Sequence, residues 1–494
     1  MSTGLADRLA TVLSLDPSAQ AVEFEGRWST WRDLHGIATA VAGHLRRAGL
    51  TDGARVGVVL RNHPAVVGAV LGVLSVGGCV VTVNPSHGDT GLAGDVADLG
   101  LGAVVARPTD WGRAGFREAA AGALGLAVSL PPGAVEVLGE RDANSAVRTA
   151  PGVAVEMLTS GTTGPPKRIP LSYESFEHTV AAAGSHYGSG DAGTVRLRSG
   201  VTIVSSPMVH MSGMFRTLLN ICEGRRVCLL ERFRVDEFTE AVRRHRPKAV
   251  SLVPSALGMV LDADIDPGVF SSVQVVTSGT SHLPVETQVE FEKRYDVAVL
   301  PSYGATEFAG GVAGWNLALH REWAERKRGS VGRCQKGREI RIVDPDSGAE
   351  RAAGEQGRVE VRTRGGEWVA TTDLGRVDAD GFVFIDGRID DVIIRGGFKI
   401  TPSEIVSVLQ SHPAVRDAGV TSLPDHRLGA VPVAAVETVA GSAVTPEELT
   451  QYVRDRVSKY LVPTQIVVVD ELPRTPSMKV SQPRLRELFS VGAQ

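Results

Sequence analysis

Short β-branched runs alternate with longer, helix-length segments through the N-terminal half of the chain. Arg55-Val56-Gly57-Val58-Val59-Leu60, Gly102-Ala103-Val104-Val105, Val201-Thr202-Ile203-Val204, Ala249-Val250-Ser251-Leu252-Val253 and Val273-Gln274-Val275-Val276 are such runs. Runs of this kind, apolar on both faces and separated by helices, predict an α/β fold with largely parallel, buried sheets. Ligands on such sheets sit at loops beyond the strand ends. One stretch, Ala65 to Val83, has no charged residue and approaches the length of a membrane span. Gly68, Gly72, Ser75 and Gly77-Gly78 interrupt it, so it reads instead as a buried helix to about Ser75 and then a strand, Cys79-Val80-Val81-Thr82-Val83. From about Ser330 the texture changes. Glu339-Ile340-Arg341-Ile342-Val343, Arg358-Val359-Glu360-Val361 and Gly381-Phe382-Val383-Phe384-Ile385 alternate between Gly/Asp turns, which predicts a smaller β-subdomain. After Gly387-Arg388 helices and strands return, with Ile466-Val467-Val468-Val469 ahead of a Pro-rich tail.

The 494 residues leave room for about three domain-sized units. A formal charge of 52 − 56 = −4 gives no electrostatic footprint for nucleic acid. Hydrophobic content of 43% with 22% charged residues is that of an ordinary globular chain. Cys79, Cys222, Cys228 and Cys334 form no CxxC pair, which favours reduced thiols over a disulfide framework or zinc site. With no apolar leader-like stretch at the N-terminus, the expected location is the cytoplasm.

The most specific segment is Thr159-Ser160-Gly161-Thr162-Thr163-Gly164-Pro165-Pro166-Lys167. Small residues let the backbone approach a ligand, and main-chain N–H groups and hydroxyls can then wrap phosphate oxygens. The lysine adds a charge-assisted contact. This is not the common P-loop, which has Gly before its Lys and Ser or Thr after it; here Pro166 precedes Lys167 and Arg168 follows. A bare surface turn has similar composition, so other segments must decide.

Several do. Tyr303-Gly304-Ala305-Thr306-Glu307 follows a strand-like run, as does Ser278-Gly279-Thr280. Asp373 lies in Ala370-Thr371-Thr372-Asp373-Leu374, and Arg388 begins Arg388-Ile389-Asp390-Asp391. Lys479 ends Pro473-Arg474-Thr475-Pro476-Ser477-Met478-Lys479, and Ser206-Pro207-Met208-Val209-His210-Met211-Ser212-Gly213-Met214 follows another strand. In this order and spacing the chain resembles, from about residue 20 to 485, the adenylate-forming superfamily of acyl-CoA synthetases, luciferases and peptide-synthetase adenylation domains.

The resemblance implies a large N-terminal domain of stacked α/β sheets with a β-subdomain, residues 1–389. A small mobile α+β domain, residues 390–494, would follow a hinge near Asp390. It implies that Thr159, Ser160, Gly161, Thr162, Thr163, Gly164 and Lys167 hold ATP phosphates, and that Thr163 and Glu307 hold Mg²⁺, a hard cation that prefers oxygen. Tyr303 and Gly304, with Gly279 and Thr280, would frame adenine, while Thr306 contacts the α-phosphate. Asp373 and Arg388 would hold the ribose. Lys479 would bridge the attacking carboxylate and the α-phosphate, offsetting charge that grows in the transition state. His210 would gate the acyl site, and Gly396 and Gly397 would line a tunnel for the pantetheine of coenzyme A.

The implied reaction is an AMP-forming acyl-CoA ligase with a small carboxylic acid and CoA as partners. No Asp stands where amino-acid-activating relatives bind an α-amino group, which favours an apolar acid. Three positions depart from the family, each where it usually has glycine: Arg168, Thr372 and Met478. Met478 bears most directly on chemistry, because it could displace Lys479. An adenylation-impaired enzyme using supplied acyl-AMP, and a non-catalytic nucleotide-binding module, are the alternatives.

Overall fold

In the computed structural model of the protein, the apolar runs around Val56, Val80 and Val104 become interior strands of a seven-stranded sheet, and the later runs enter other sheets. The structure describes residues 4–97, 99–142, 147–159, 167–186, 195–363, 366–396, 398–439, 441–475 and 478–490. By contacts the described chain divides into two compact units. One comprises 4–159, 167–251 and 305–311; the other comprises 252–304 and 312–490, less the stretches not described.

In the first unit the sheet runs Val135–Gly139, Leu124–Val128, Ala103–Ala106, Arg55–Val59, Cys79–Val83, Val153–Thr159, Lys167–Ser172. Its interior pairings are parallel, and every residue of Arg55–Val59, Cys79–Val83, Ala103–Ala106 and Leu124–Val128 is buried. Only the two edges are antiparallel. The charge that this burial traps is matched: Arg55 meets Glu156 at 2.6 Å. A second sheet, Arg198–Val204, Arg225–Leu229, Gln20–Phe24 and Arg27–Thr30, completes the unit. Its buried Glu23 is held by Arg244 at 2.8 Å and His245 at 2.5 Å.

The uncharged Ala65–Val83 stretch resolves as expected into the helix Pro64–Ser75 and the strand Cys79–Val83. The helix is buried from Pro64 through Leu74, and it packs on the capped helix Trp31–Arg47. A Cβ at Gly72 would lie 2.7 Å from the Ala38 carbonyl oxygen, so the glycine that interrupts the apolar run is where the two helices meet. No helix among the described residues is long and apolar enough to cross a membrane.

In the second unit Val275–Ser278 and Ala298–Ala305 pair in parallel. The predicted β-subdomain is an antiparallel sheet of Arg338–Val343, Gly357–Thr363, Trp368–Val377 and Val383–Arg388. Its last strand starts two residues later than the Gly381 turn suggested, because Gly381 and Asp378 close the turn first. Beyond it, Val415–Asp425, Gly429–Thr438 and Gln465–Val469 form a further sheet. Helices Pro402–Gln410 and Pro446–Arg454 pack with it around Ile405, Leu409, Val420, Val436, Leu449 and Val453. This C-terminal segment thus encloses a core of its own.

Candidate active site

In the first unit, the antiparallel edge carries the glycine- and threonine-rich segment. Val153–Thr159 leads in, Lys167–Ser172 leads out, and the register joins Thr159 to Lys167. Ser160, Gly161, Thr162, Thr163 and Gly164 lie outside the described residues, as does Gly397. Lys167 is exposed at the start of its strand. Arg168, the first departure from the family pattern, pairs in register with Leu158, and its guanidinium donates to the Thr82 carbonyl at 3.0 Å. It anchors the edge strand to the sheet. Beside this strand packs the 3-10 turn Thr306–Phe308, which brings Thr306 and the exposed Glu307 to the same edge.

His210 stands at the N-cap position of the helix Met211–Cys222, without a side-chain capping bond, and follows a tightly fixed loop. The buried Asn62 carboxamide donates to the carbonyls of Ser206 (3.0 Å) and Leu230 (2.8 Å) and accepts the Met208 N–H at 2.7 Å. A Cβ at Gly213 would fall 2.2 Å from the Pro207 carbonyl oxygen. Only glycine lets the helix approach this close. Met208 and Met214 are fully buried core residues. Asn62 escaped the sequence reading, because its partners are backbone groups.

In the second unit the structure brings Tyr303, Asp373 and Arg388 together beside the Gly279 turn. The Ser302 hydroxyl donates to the Ser278 carbonyl at 3.1 Å, tying the Tyr303 strand to the Gly279 turn. A Cβ at Gly279 would meet the Ser302 Oγ at 2.8 Å, so no larger residue fits between them. Thr280 holds φ +76°, a left-handed conformation rare for a β-branched residue. From the neighbouring strand, the Tyr303 hydroxyl donates to Asp373 Oδ2 at 2.5 Å.

Register sets Asp373 opposite Arg388. Burial pushes the Asp373 carboxyl above its ordinary range, and the Tyr303 hydroxyl, Arg388 and Lys479 pull it part of the way back. Lys479 is exposed yet within electrostatic reach of that carboxylate. Arg388 donates from Nη2 to the Thr372 hydroxyl at 2.6 Å and to Asp390 at 2.8 Å. The second departure, Thr372, therefore supplies an acceptor that orients the arginine.

The third departure also has a physical account. Met478 has φ +65°, the conformation that glycine would adopt freely. Its N–H donates to the Thr475 carbonyl and the Thr475 N–H donates to the Lys479 carbonyl, both at 2.8 Å. The backbone keeps a glycine course, and Lys479 stays at the end of a closed turn. Gly396 likewise has φ +56° in the turn after Ile393–Arg395, its N–H on the Leu428 carbonyl at 2.8 Å.

The tight Gly279 turn beside the Tyr303 strand, and a half-buried carboxylate set opposite an arginine, form the candidate site of this α/β fold. Residues 10–370 match the AMP-binding enzyme family and residues 404–479 match the AMP-binding enzyme C-terminal domain. The chain belongs to the AMP-binding enzymes. It is 29% identical to 4-coumarate–CoA ligase 5 of Oryza sativa subsp. japonica over 99% of this chain and 93% of that protein. It is also 29% identical to 2-succinylbenzoate–CoA ligase of Bacillus velezensis, over 96% of each. Among solved structures, ATP-bound MatB from Rhodopseudomonas palustris has the same fold, with a TM-score of 0.84 at 24% identity over the whole of both chains.

Proposed function

We propose that the protein is an acid–thiol ligase that joins a carboxylic acid to coenzyme A in two steps. First a carboxylate oxygen of the acid attacks the α-phosphorus of ATP, and pyrophosphate leaves. Then the CoA thiol attacks the acyl carbon, its proton passes to solvent, and AMP leaves. The observation that carries this reading is the convergence of Tyr303, Asp373 and Arg388.

Each group has a task that its chemistry suits. Tyr303 supplies an aromatic ring for a flat base, on the strand that Ser302 ties to the Gly279 turn. Asp373 accepts from ribose hydroxyls, and Arg388, braced by Thr372 and Asp390, lies beside it. Lys479 neutralises the charge that builds between carboxylate and phosphate. A compact ammonium on a long stem suits that position. Lys167 and Thr306 bind the phosphates, together with the glycine-rich segment from Thr159 to Gly164. Glu307, with Thr163, offers oxygen ligands for Mg²⁺, which screens phosphate charge when bound. His210 borders the acid. Residues 390–494 act as a separate domain hinged at Asp390, and the core enclosed by that segment supports this division. In the second step Gly396 and Gly397 flank pantetheine.

Both relatives are named for acids that carry an aromatic ring, so aryl acids are the first substrates to test. A panel of aryl, fatty and polycyclic acids with ATP and CoA, scored for thioester and AMP, tests the reading. One acid at least should give both products together. AMP without thioester, or neither product from any acid, would overturn it.

A further inference from the structure

The helix Pro254–Asp262 touches the C-terminal segment at both of its ends. Near its N-terminus the Ser255 hydroxyl donates to the Met478 carbonyl at 3.3 Å, beside Lys479. At its last residue Asp262 is ion-paired with Arg416. A carboxylate at a helix C-terminus opposes the helix dipole, so helix stability does not account for Asp262 there. Arg416 also meets Glu437 Oε1 at 3.2 Å. The other oxygen of Glu437, which is nearly buried, accepts from Arg474 at 3.1 Å and from the Leu472 N–H at 3.0 Å. Arg474 in turn pairs with Asp417 at 2.8 Å and reaches the Met478 carbonyl. Charges of alternating sign therefore run without a break from Asp262 to the turn that carries Lys479.

We propose that Asp262 and Arg416 are positioning residues that latch the C-terminal segment in its adenylating pose, and that the latch opens for thioester formation. This inference rests on the two-step ligase reading. The pair joins the helix to the C-terminal sheet in the same arrangement that sets Met478, next to Lys479, against Ser255 at the other end of that helix. Neither residue touches the reacting atoms. Arg474 and Glu437 lie within the C-terminal segment and keep the Lys479 turn rigid in either pose, whereas Asp262 belongs to the partner surface and is left behind when the segment turns. Loss of the Asp262 charge thus weakens one pose alone, and ligand-linked equilibria of this kind shift by roughly tenfold.

The two half-reactions are measured separately on the full chain. ATP–pyrophosphate exchange reports adenylation, and turnover of synthetic acyl-AMP with CoA reports thioester formation. Asp262→Asn should lower exchange about tenfold while leaving thioester formation from acyl-AMP equal to or faster than wild type. Asp262→Glu, which keeps the charge, should restore most of the exchange. An equal fall in both half-reactions, no fall in either, or a glutamate variant as poor as the asparagine variant would overturn the latch. Thermal melting of each variant separates a folding defect from these outcomes. If wild-type protein supports neither half-reaction with any acid, the ligase reading itself fails, a result distinct from any variant pattern.

Discussion

At the scale of single residues, Asp373 and Met478 decide most. The Asp373 carboxyl is raised by burial, so its protonated form is the one favoured by folding. The stability it contributes is present at low pH and is lost as pH rises through its folded value. Asp373→Asn should therefore raise the melting temperature at pH 7, and the advantage should shrink below about pH 4, where the unfolded carboxyl is also protonated. The same change removes a charge-assisted acceptor for ribose, so ATP affinity should fall about ten- to a hundredfold. A melting point unchanged at pH 7, or ATP binding unchanged by calorimetry, would contradict this assignment. Met478 occupies left-handed backbone at a cost of about 1–2 kcal/mol. Glycine would relieve it but loses about 0.5–1 kcal/mol through unfolded-state entropy. Met478→Gly should leave stability level or up to roughly 1 kcal/mol higher, with pyrophosphate exchange retained. A collapse of exchange would show that the methionine side chain, rather than the backbone, supports Lys479.

At the scale of elements, the close approach of the Met211–Cys222 helix to the Ser206-Pro207 backbone fixes His210. Gly213→Ala would press a methyl group against a carbonyl that cannot yield. A loss of about 1–3 kcal/mol in stability and a higher KM for the acid are expected, with KM for ATP little changed. Equal shifts in both KM values would place the helix elsewhere in the reaction. Such elements differ in how readable they were. Arg55–Val59 and Cys79–Val83 stood out because burial on both faces demands unbroken apolar sequence. The partition of Ala65–Val83 was legible through its glycines, but their contact with Ala38 was not, since crossing partners lie far away in sequence. Asn62 was hidden for the same reason: its three partners are backbone groups, which leave no trace in residue type. Lys167, Tyr303, Asp373, Arg388 and Lys479 stood out through their resemblance to the family motifs, and the structure sets Tyr303, Asp373 and Arg388 beside one another. The departures at Arg168, Thr372 and Met478 were visible as departures only. What each does instead depends on Thr82, on Arg388 and on a backbone angle.

At the scale of the whole molecule, the account is of one acid carried through two reactions by a chain whose C-terminal segment supplies the lysine for the first. Residues 390–494 have their own core, and Lys479 stands on a turn braced by Arg474. Lys479→Ala should therefore abolish most of the first reaction and spare the second. The most direct test is acid-dependent ATP–pyrophosphate exchange, measured for wild type and Lys479→Ala with an acid that the thioester panel identifies. The account predicts robust exchange by wild type and a loss of at least about a hundredfold in the variant, while both convert acyl-AMP and CoA to thioester at similar rates. Thioester formation from acyl-AMP by a wild-type enzyme that supports no exchange would contradict it, as would exchange that survives the loss of Lys479.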